Sequence, residues 1–112
     1  MAFALLTERR DLVAIITLTG ELDASVAGQL RDAVEEAAKA NAQRLVLDMT
    51  NLDYMASAGL RGLVFAKQKM GAGVDIFVIG AQPSVTETLE LTGFHNSVIS
   101  LPSYDASVIE AR

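Results

Sequence analysis

Three short runs of mostly aliphatic and β-branched residues, each followed by a helical pattern, constrain the fold of this chain most strongly. The runs are residues 12–19, 44–49 and 74–79. Runs of this length and composition predict buried strands. Strands that alternate with single helices need crossover connections, so the pattern predicts an α/β fold with a largely parallel sheet.

The first helix is predicted between the first two runs. Apolar residues recur at helical spacing over residues 26–38, and charged residues lie mostly on the opposite face. Asp23 or Ser25 precedes this stripe and is expected to cap the N-terminus of the helix. Gly20 is expected to end the strand before it.

Two further helices follow the second and third runs. A polar turn at residues 50–53 leads into a helix expected over residues 57–70, which the following glycines end. Pro83 is expected to open the third helix, because proline suits a first helical position. Gly93 is expected to end this helix.

The two ends of the chain supply the remaining elements. A first strand over residues 3–7 is expected to form an antiparallel hairpin with the next strand, and residues 97–101 and 104–111 are expected to form a last strand and a last helix. The predicted order is β-β-α-β-α-β-α-β-α. We therefore expect one α/β domain, residues 1–112, with a mixed, mostly parallel sheet of four to five strands and about four helices.

The composition excludes several classes of function. The chain contains no cysteine, which rules out disulfides and thiolate chemistry. Its formal net charge of −5 argues against direct nucleic-acid binding. No hydrophobic run is long enough for a signal peptide or a membrane span, so we expect a cytoplasmic protein that contacts no membrane.

Residues that could support catalysis are few. The one histidine, His95, follows a predicted helix stop and has no identifiable serine partner, so we expect a surface residue rather than a base. The glycines of residues 71–73 lie after a helix and before a strand, the reverse of the order that a phosphate-binding loop requires. The sequence therefore predicts no catalytic residue and no cofactor.

Four carboxylates are predicted near strand ends: Glu21, Asp23, Asp48 and Asp53. Open α/β sheets often carry their ligand sites there, and oxygen ligands of this kind can bind a divalent cation. Capping and turn hydrogen bonds are the simpler explanation, with Asp23 at the first helix and Asp53 in a turn. We therefore predict no metal site.

Ser57 is predicted where the third strand and its turn lead into the second helix. This position predicts an N-cap. A helix N-terminus has unpaired N–H groups and about half a positive charge, so it also tolerates a phosphate. The residues that flank Ser57 are small: Ala56, Ala58 and Gly59. A partner could therefore approach the hydroxyl, and Leu60 and Arg61 could complete a contact patch.

Four segments, in order along the chain, resemble a known family. Gly20-Glu21-Leu22-Asp23 resembles the family's Gly-Glu-Leu/Ile-Asp, and Leu45-Val46-Leu47-Asp48-Met49 resembles its strand ending in Asp-Leu/Met. Met55-Ala56-Ser57-Ala58-Gly59-Leu60 resembles the family's phosphorylation motif, and Leu89-Glu90-Leu91-Thr92-Gly93-Phe94 resembles its Leu-x-x-Thr-Gly-Leu/Phe. The chain thus resembles the STAS domains of anti-sigma factor antagonists.

The resemblance implies the STAS fold and a binding function rather than an enzyme. Such a protein binds a kinase-type anti-sigma factor, which has an ATP-binding, histidine-kinase-like fold, and thereby frees a sigma factor. The kinase phosphorylates the serine that aligns with Ser57, which breaks the complex, and a PP2C-type phosphatase reverses the modification. We expect partner contacts around this serine, at Glu21, Asp23, Ala56, Ala58, Gly59, Leu60 and Arg61.

Two positions depart from the family's pattern. Ala56 stands where an acidic residue often precedes the serine, and Ala58 stands where a second serine is common. Asp23 matches the acidic residue that lies near the serine in the family. Three alternatives remain open. The first is a STAS accessory subunit of a transporter or stressosome-like scaffold without a serine switch, and the second is a domain that binds a small ligand or nucleotide. The third is an enzyme, which the absence of a paired acid and base disfavours most.

Overall fold

The computed structural model describes residues 2–111 of the chain. Over these residues, five strands and four α-helices follow one another in the predicted order. The elements are β1 Ala4–Arg10, β2 Val13–Leu22, α1 Ala27–Lys39, β3 Arg44–Met55, α2 Ser57–Met70, β4 Asp75–Ile79, α3 Pro83–Thr92, β5 Ile99–Leu101 and α4 Ala106–Ile109. Among the described residues, none of these helices combines the length and apolar character needed to cross a membrane.

The strands form one sheet whose spatial order equals their order in the chain. β1 and β2 form an antiparallel hairpin, and the pairs from β2 to β5 are parallel. Each parallel pair is connected by a crossover to the next strand along the sheet. When such crossovers all have the same handedness, the helices that they contain lie on the same side of the sheet. The mixed, mostly parallel sheet and its antiparallel first strand are therefore confirmed.

Both faces of the sheet are apolar, and each is covered differently. The larger core packs β-strand residues such as Leu45 and Leu47 against α1, α2 and α3, which contribute Leu30, Leu63 and Leu89. The smaller core lies on the opposite face and consists of Val13, Ile15, Val46, Phe77 and Ile79 with Ile109 of α4. Because successive strand side chains point to opposite faces, the central strands need apolar residues at nearly every position.

Strands β2 and β3 are longer than the sequence pattern predicts. The predicted stop at Gly20 and the predicted turn at residues 50–53 are both wrong, because the two strands pair as far as Leu22 and Met55. The register shifts beside Gly20, whose φ of 90° accommodates the irregularity. Leu52 and Met55 are buried, so their packing holds the polar segment around them in the extended conformation.

The other elements differ from the predictions mainly at their ends. α2 occupies the predicted residues, α3 begins at Pro83, and Gly93 ends α3 in the left-handed conformation. β1 runs past the predicted residues 3–7 because the hairpin continues to Arg10. The last strand begins later than predicted, because a short 3-10 helix, Phe94–Ser97, occupies the preceding residues.

The C-terminal segment covers the second face of the sheet with a single helical turn. α4 is shorter than the predicted helix of residues 104–111. Its N-cap is Asp105, whose Oδ1 accepts a hydrogen bond from the Ser107 backbone N–H at 3.0 Å. Ile109 of this turn is completely buried in the smaller core. One apolar side chain therefore anchors the segment to the sheet.

Tyr104 adds a second anchor beside α4. Its hydroxyl donates to Glu110 Oε2 at 2.7 Å. The Arg10 guanidinium of β1 lies 5.3 Å from the centroid of the Tyr104 ring, within the range of a cation–π contact. Burial, followed by the hydrogen bond to Glu110, raises the pKa of Tyr104 to about 12.

We expect the Tyr104 phenol to ionise with a pKa of about 12 in the folded protein, against an ordinary value of 10.0. Because the folded pKa is raised, the neutral phenol stabilises the fold below pH ~10, and this contribution is lost as the pH rises from about 10 to about 12. The phenolate absorbance measures the titration in a Tyr54→Phe background, where Tyr104 is the only remaining tyrosine.

The variant Glu110→Gln tests how much the charge of Glu110 contributes to the raised pKa of Tyr104. It retains an acceptor oxygen and removes the negative charge, so the Tyr104 midpoint should move down while staying above its ordinary value, since burial remains. Circular dichroism at each pH checks that the chain is folded during the titration. A Tyr104 midpoint at the ordinary value of 10.0 in the folded protein with Glu110 intact would contradict the packing of the C-terminal segment.

Candidate functional site

The candidate site lies at the edge of the sheet where β2 and β3 end and α2 begins. Leu22 and Met55 are the last paired residues of the two strands. The Ala56 backbone N–H then donates to the Leu22 carbonyl oxygen at 2.9 Å. Asp23 directly follows Leu22, and Ser57 directly follows Ala56. This one hydrogen bond therefore holds the two predicted site residues beside each other.

Ser57 is the first residue of α2 rather than its cap. The predicted N-cap role is wrong, because Ala56 has the extended cap conformation and its carbonyl accepts the N–H groups of Gly59 at 2.9 Å and Leu60 at 3.1 Å. The cap lies one residue earlier because β3 continues to Met55. The Ser57 side chain is exposed, and its hydroxyl forms no hydrogen bond with any of residues 2–111. A partner can therefore reach it directly.

The start of α2 carries uncompensated positive potential. Ala56 has no side-chain acceptor for the first N–H groups of the helix, and the first turn contains no acidic residue. The partial positive charge of the helix N-terminus is therefore not neutralised by α2 itself. The helix N-terminus would therefore stabilise an anionic group attached at Ser57.

Asp23 caps a tight turn, not the first helix. The prediction that Asp23 or Ser25 caps α1 is wrong, because the N-cap is Val26 and has no side-chain cap bond. Asp23 Oδ1 instead accepts the Ser25 hydroxyl at 2.6 Å and the Ser25 backbone N–H at 3.0 Å. The hydroxyl bond is the main cause that lowers the pKa of Asp23 below its ordinary value. The site therefore contains a fixed, ionised carboxylate.

The other predicted contact residues offer different amounts of surface. Glu21 and Arg61 are exposed, Ala56, Ala58 and Leu60 are half-buried, and Gly59 is buried. Glu21 pairs with Tyr54 across the β2–β3 ladder, so it belongs to the same edge as Ser57. Gly59 contributes to the packing beneath the site rather than to its surface.

Two glycines allow α2 to pack closely against its neighbours. A Cβ atom at Gly59 would lie 2.8 Å from Leu22 Cγ and 2.8 Å from Met55 Cγ, and both of these side chains are buried. One turn later, a Cβ at Gly62 would lie 2.9 Å from Leu30 Cδ2 of α1. The absence of these two side chains lets α2 approach the strand ends and α1, and Ser57 is the first residue of this closely packed helix.

The predicted strand-end carboxylates do not converge on one site. Glu21 lies inside β2, and Asp48 and Asp53 lie inside β3, because both strands are longer than predicted. Asp48 Oδ1 accepts the backbone N–H and the hydroxyl of Thr50, and Asp53 Oδ1 lies 3.4 Å from Gln82 Nε2. Within residues 2–111, no group of three or more His, Cys, Asp or Glu residues is arranged to hold a metal ion.

His95 is an exposed residue of the 3-10 helix, as the sequence predicts. Its Nδ1 lies 3.4 Å from the Leu89 carbonyl oxygen. In the part of the chain that the structure describes, no serine and no carboxylate hydrogen-bonds to the ring. A base needs an oriented partner of this kind, so the surroundings of His95 do not form a catalytic arrangement.

Four side chains in this region have surroundings that the sequence does not predict. Tyr54 is 50% exposed and Val64 is 39% exposed, although hydrophobic side chains are usually buried. The Arg31 guanidinium of α1 lies 4.7 Å from the centroid of the Phe65 ring of α2. The helical pattern alone assigns Arg31 to a solvent-facing side, and only the pairing of α1 with α2 brings it to Phe65. No pattern of neighbouring residues in the sequence indicates that α1 packs against α2.

Comparison with known proteins identifies the family. The sequence model of the STAS domain matches residues 4–110. The chain belongs to the STAS domain family. The predicted STAS fold is thereby confirmed, and the order of strands and helices in this STAS domain is the order expected from its sequence.

One relative of this STAS domain is named as an anti-sigma factor antagonist. Anti-sigma-F factor antagonist RsfB of Mycobacterium tuberculosis is 34% identical over 74 residues, which are 66% of this chain and 60% of RsfB. The chain thus matches less than two thirds of the length of that relative.

Two solved structures share the fold. An anti-sigma factor antagonist from Mycobacterium paratuberculosis superposes with a TM-score of 0.87 at 24% identity, covering 99% of this chain and 95% of that chain. The Bacillus cell fate determinant SpoIIAA in its phosphorylated form superposes with a TM-score of 0.71 at 20% identity, covering 97% of each chain. At these identities the two structures establish the fold alone.

Gly59→Ala should destabilise the protein. The added Cβ overlaps the Cγ atoms of two buried side chains, and overpacking of this kind costs about 1–3 kcal/mol. This exceeds the gain of up to about 1 kcal/mol that alanine brings in a helix interior. The free energy of unfolding, measured by urea denaturation, should therefore fall.

Gly28→Ala in α1 is the matched control, because a Cβ at Gly28 meets nothing within 4 Å. Its helix propensity should stabilise the protein by up to about 1 kcal/mol. If both substitutions changed the unfolding free energy in the same direction, the close packing of α2 on the strand ends would be contradicted.

Proposed function

We propose that this STAS domain is an anti-sigma factor antagonist controlled by phosphorylation of Ser57. In the unmodified form it binds a kinase-type anti-sigma factor, which has an ATP-binding, histidine-kinase-like fold, and this binding frees a sigma factor. Phosphorylation breaks the complex, and a PP2C-type serine phosphatase restores it. The antagonist names of its relatives support this class of function.

The free hydroxyl of Ser57 is the observation that carries the proposal. The side chain is exposed at the start of α2 and is hydrogen-bonded to none of residues 2–111. A kinase can therefore reach it without breaking any contact of the fold. The sequence around it also resembles the phosphorylation motif of the family.

The proposed reaction is phosphoryl transfer from ATP that is bound to the kinase. Ser57 Oγ attacks the γ-phosphorus, the bond between that phosphorus and the ADP oxygen breaks, and the hydroxyl proton passes to a base of the kinase. The STAS domain supplies only the nucleophile and its position, so it is the substrate. The phosphatase adds water across the new P–O bond, which releases inorganic phosphate and restores the hydroxyl.

The charge of the phosphate explains why the modification would break a complex. The group adds a charge of about −1.5 to −2 at neutral pH. The N-terminus of α2 stabilises this charge in the free chain. In a complex, however, the phosphate must lose its water, and the ionised Asp23 on the adjoining segment adds like charge. A complete change from bound to free needs about 5.5 kcal/mol of differential affinity.

Ser57→Ala tests the proposed switch. Incubation with ATP and a kinase-type anti-sigma factor from the same genome should add one phosphate to the wild-type chain and none to the variant, as measured by intact-mass and peptide mass spectrometry. The variant should bind the kinase with unchanged affinity. Because Ser57 makes no cap bond, the free energy of unfolding should change by less than about 0.5 kcal/mol.

Ser103→Ala is the matched control, since Ser103 is an exposed serine outside the site and should not be the acceptor. This variant should receive one phosphate at Ser57, like the wild type. A phosphate on another residue, or an unmodified wild-type chain beside a kinase that modifies a second substrate, would refute the switch. Binding that ATP leaves unchanged would favour an accessory subunit instead.

A further inference from the structure

We propose that a groove between α1 and α2 binds an acidic segment of the anti-sigma factor, an inference that rests on the proposed function. The groove has a volume of about 590 Å³. Ala58 is one of its lining residues and directly follows Ser57, so the groove begins beside the proposed phosphorylation site.

The groove is basic, although the whole chain is acidic. Its lining contains Arg31 and Arg61 and no aspartate or glutamate, whereas the chain has a formal net charge of −5. Neither arginine forms an ion pair with any of residues 2–111. Guanidinium groups are well suited to carboxylates, because their planar N–H groups donate two parallel hydrogen bonds. Two unpaired arginines in one groove therefore favour an anionic occupant.

Arg31 is held in place before any partner arrives. Its guanidinium lies 4.7 Å from the centroid of the half-buried Phe65 ring, which stabilises this position by a cation–π contact. The stacked face is occupied, but the N–H groups at the edge of the guanidinium remain able to donate. An arginine that is already positioned loses less conformational entropy when it binds.

The walls of the groove fit a segment of protein chain. Gly28 lines the α1 side, is exposed and has open space where a side chain would lie, so a partner's backbone can approach this wall closely. The exposed part of Val64 offers apolar contact. Two arginines in a chain of net charge −5 are too few to bind a polyanion such as nucleic acid strongly. The occupant that fits is a segment with carboxylates beside apolar side chains.

The position of Arg61 connects this groove to the proposed switch. Arg61 lies four residues after Ser57 in α2, and residues at this spacing are neighbours on one helix face. A phosphate on Ser57 would compete with the carboxylates of the partner for the Arg61 guanidinium. The phosphate group would thereby bind the Arg61 guanidinium and leave it unavailable to the partner.

The first test reverses the charge of the groove. The double variant R31E/R61E should bind the kinase-type anti-sigma factor at least about tenfold more weakly than the wild type. The double variant K39E/K69E makes the same change in net charge at two exposed lysines that do not line the groove, and it should bind much as the wild type does. Circular dichroism checks that both variants fold. Equal affinities of the two variants would overturn the proposal.

The second test needs no kinase. A helical peptide with glutamate and leucine on one face should shift the backbone amide signals of Gly28, Ala58 and Gly62 in NMR spectra of the wild-type chain. It should not shift them in R31E/R61E, and a peptide with lysine in place of glutamate should not shift them in the wild type. Amides that respond to an oligonucleotide but not to the peptide, or to neither, would overturn the proposal.

The outcomes separate this inference from the proposed function. A wild-type chain that binds the glutamate peptide but is never phosphorylated contradicts the switch at Ser57. A chain that is phosphorylated and released normally, while R31E/R61E binds the kinase as K39E/K69E does, contradicts the groove alone.

Discussion

The parallel pairing of β2 with β3, continued to Leu22 and Met55, is the interaction on which the site depends. The hydrogen bond from the Ala56 N–H to the Leu22 carbonyl, 2.9 Å long, extends this pairing by one step and aligns the segments that follow both strands. Gly59 then lets α2 pack directly on the same two side chains. Ser57 therefore begins its helix from a rigid base, although its own hydroxyl takes no part in holding that base.

Much of the fold could be predicted from the sequence, because short-range patterns determine it. The apolar runs of the central strands, Pro83 at the start of α3 and Gly93 at its end each act through local chemistry, and each prediction is confirmed. The segment from Thr50 to Asp53 reads as a turn because its residues are polar. It is a strand because Leu52 and Met55 are buried against the sheet and helices, which only the assembled structure brings together.

The site could be predicted only in part for the same reason, because some of its features depend on contacts between distant parts of the sequence. Ser57 and Asp23 are recognisable from their motifs, but the cap lies at Ala56 because β3 is longer than its polar end suggests. Arg31 and Phe65 lie 34 positions apart in the sequence, on helices whose pairing no local pattern encodes. The charges around Ser57 are consequently uneven, with the ionised Asp23 on the adjoining segment and two arginines in the α1–α2 groove.

The central claim is that a phosphate on Ser57 changes the charge of a binding surface and leaves the fold unchanged. The most direct measurement compares the affinities of the unmodified and the fully phosphorylated chain for the same kinase-type anti-sigma factor, with NMR spectra of both free forms. We predict that phosphorylation weakens binding at least about 100-fold, and a complete change from bound to free would need roughly 10⁴-fold. The NMR signals of the core residues should not move. Equal affinities, or a phosphorylated chain in which α2 is unfolded, would contradict this account.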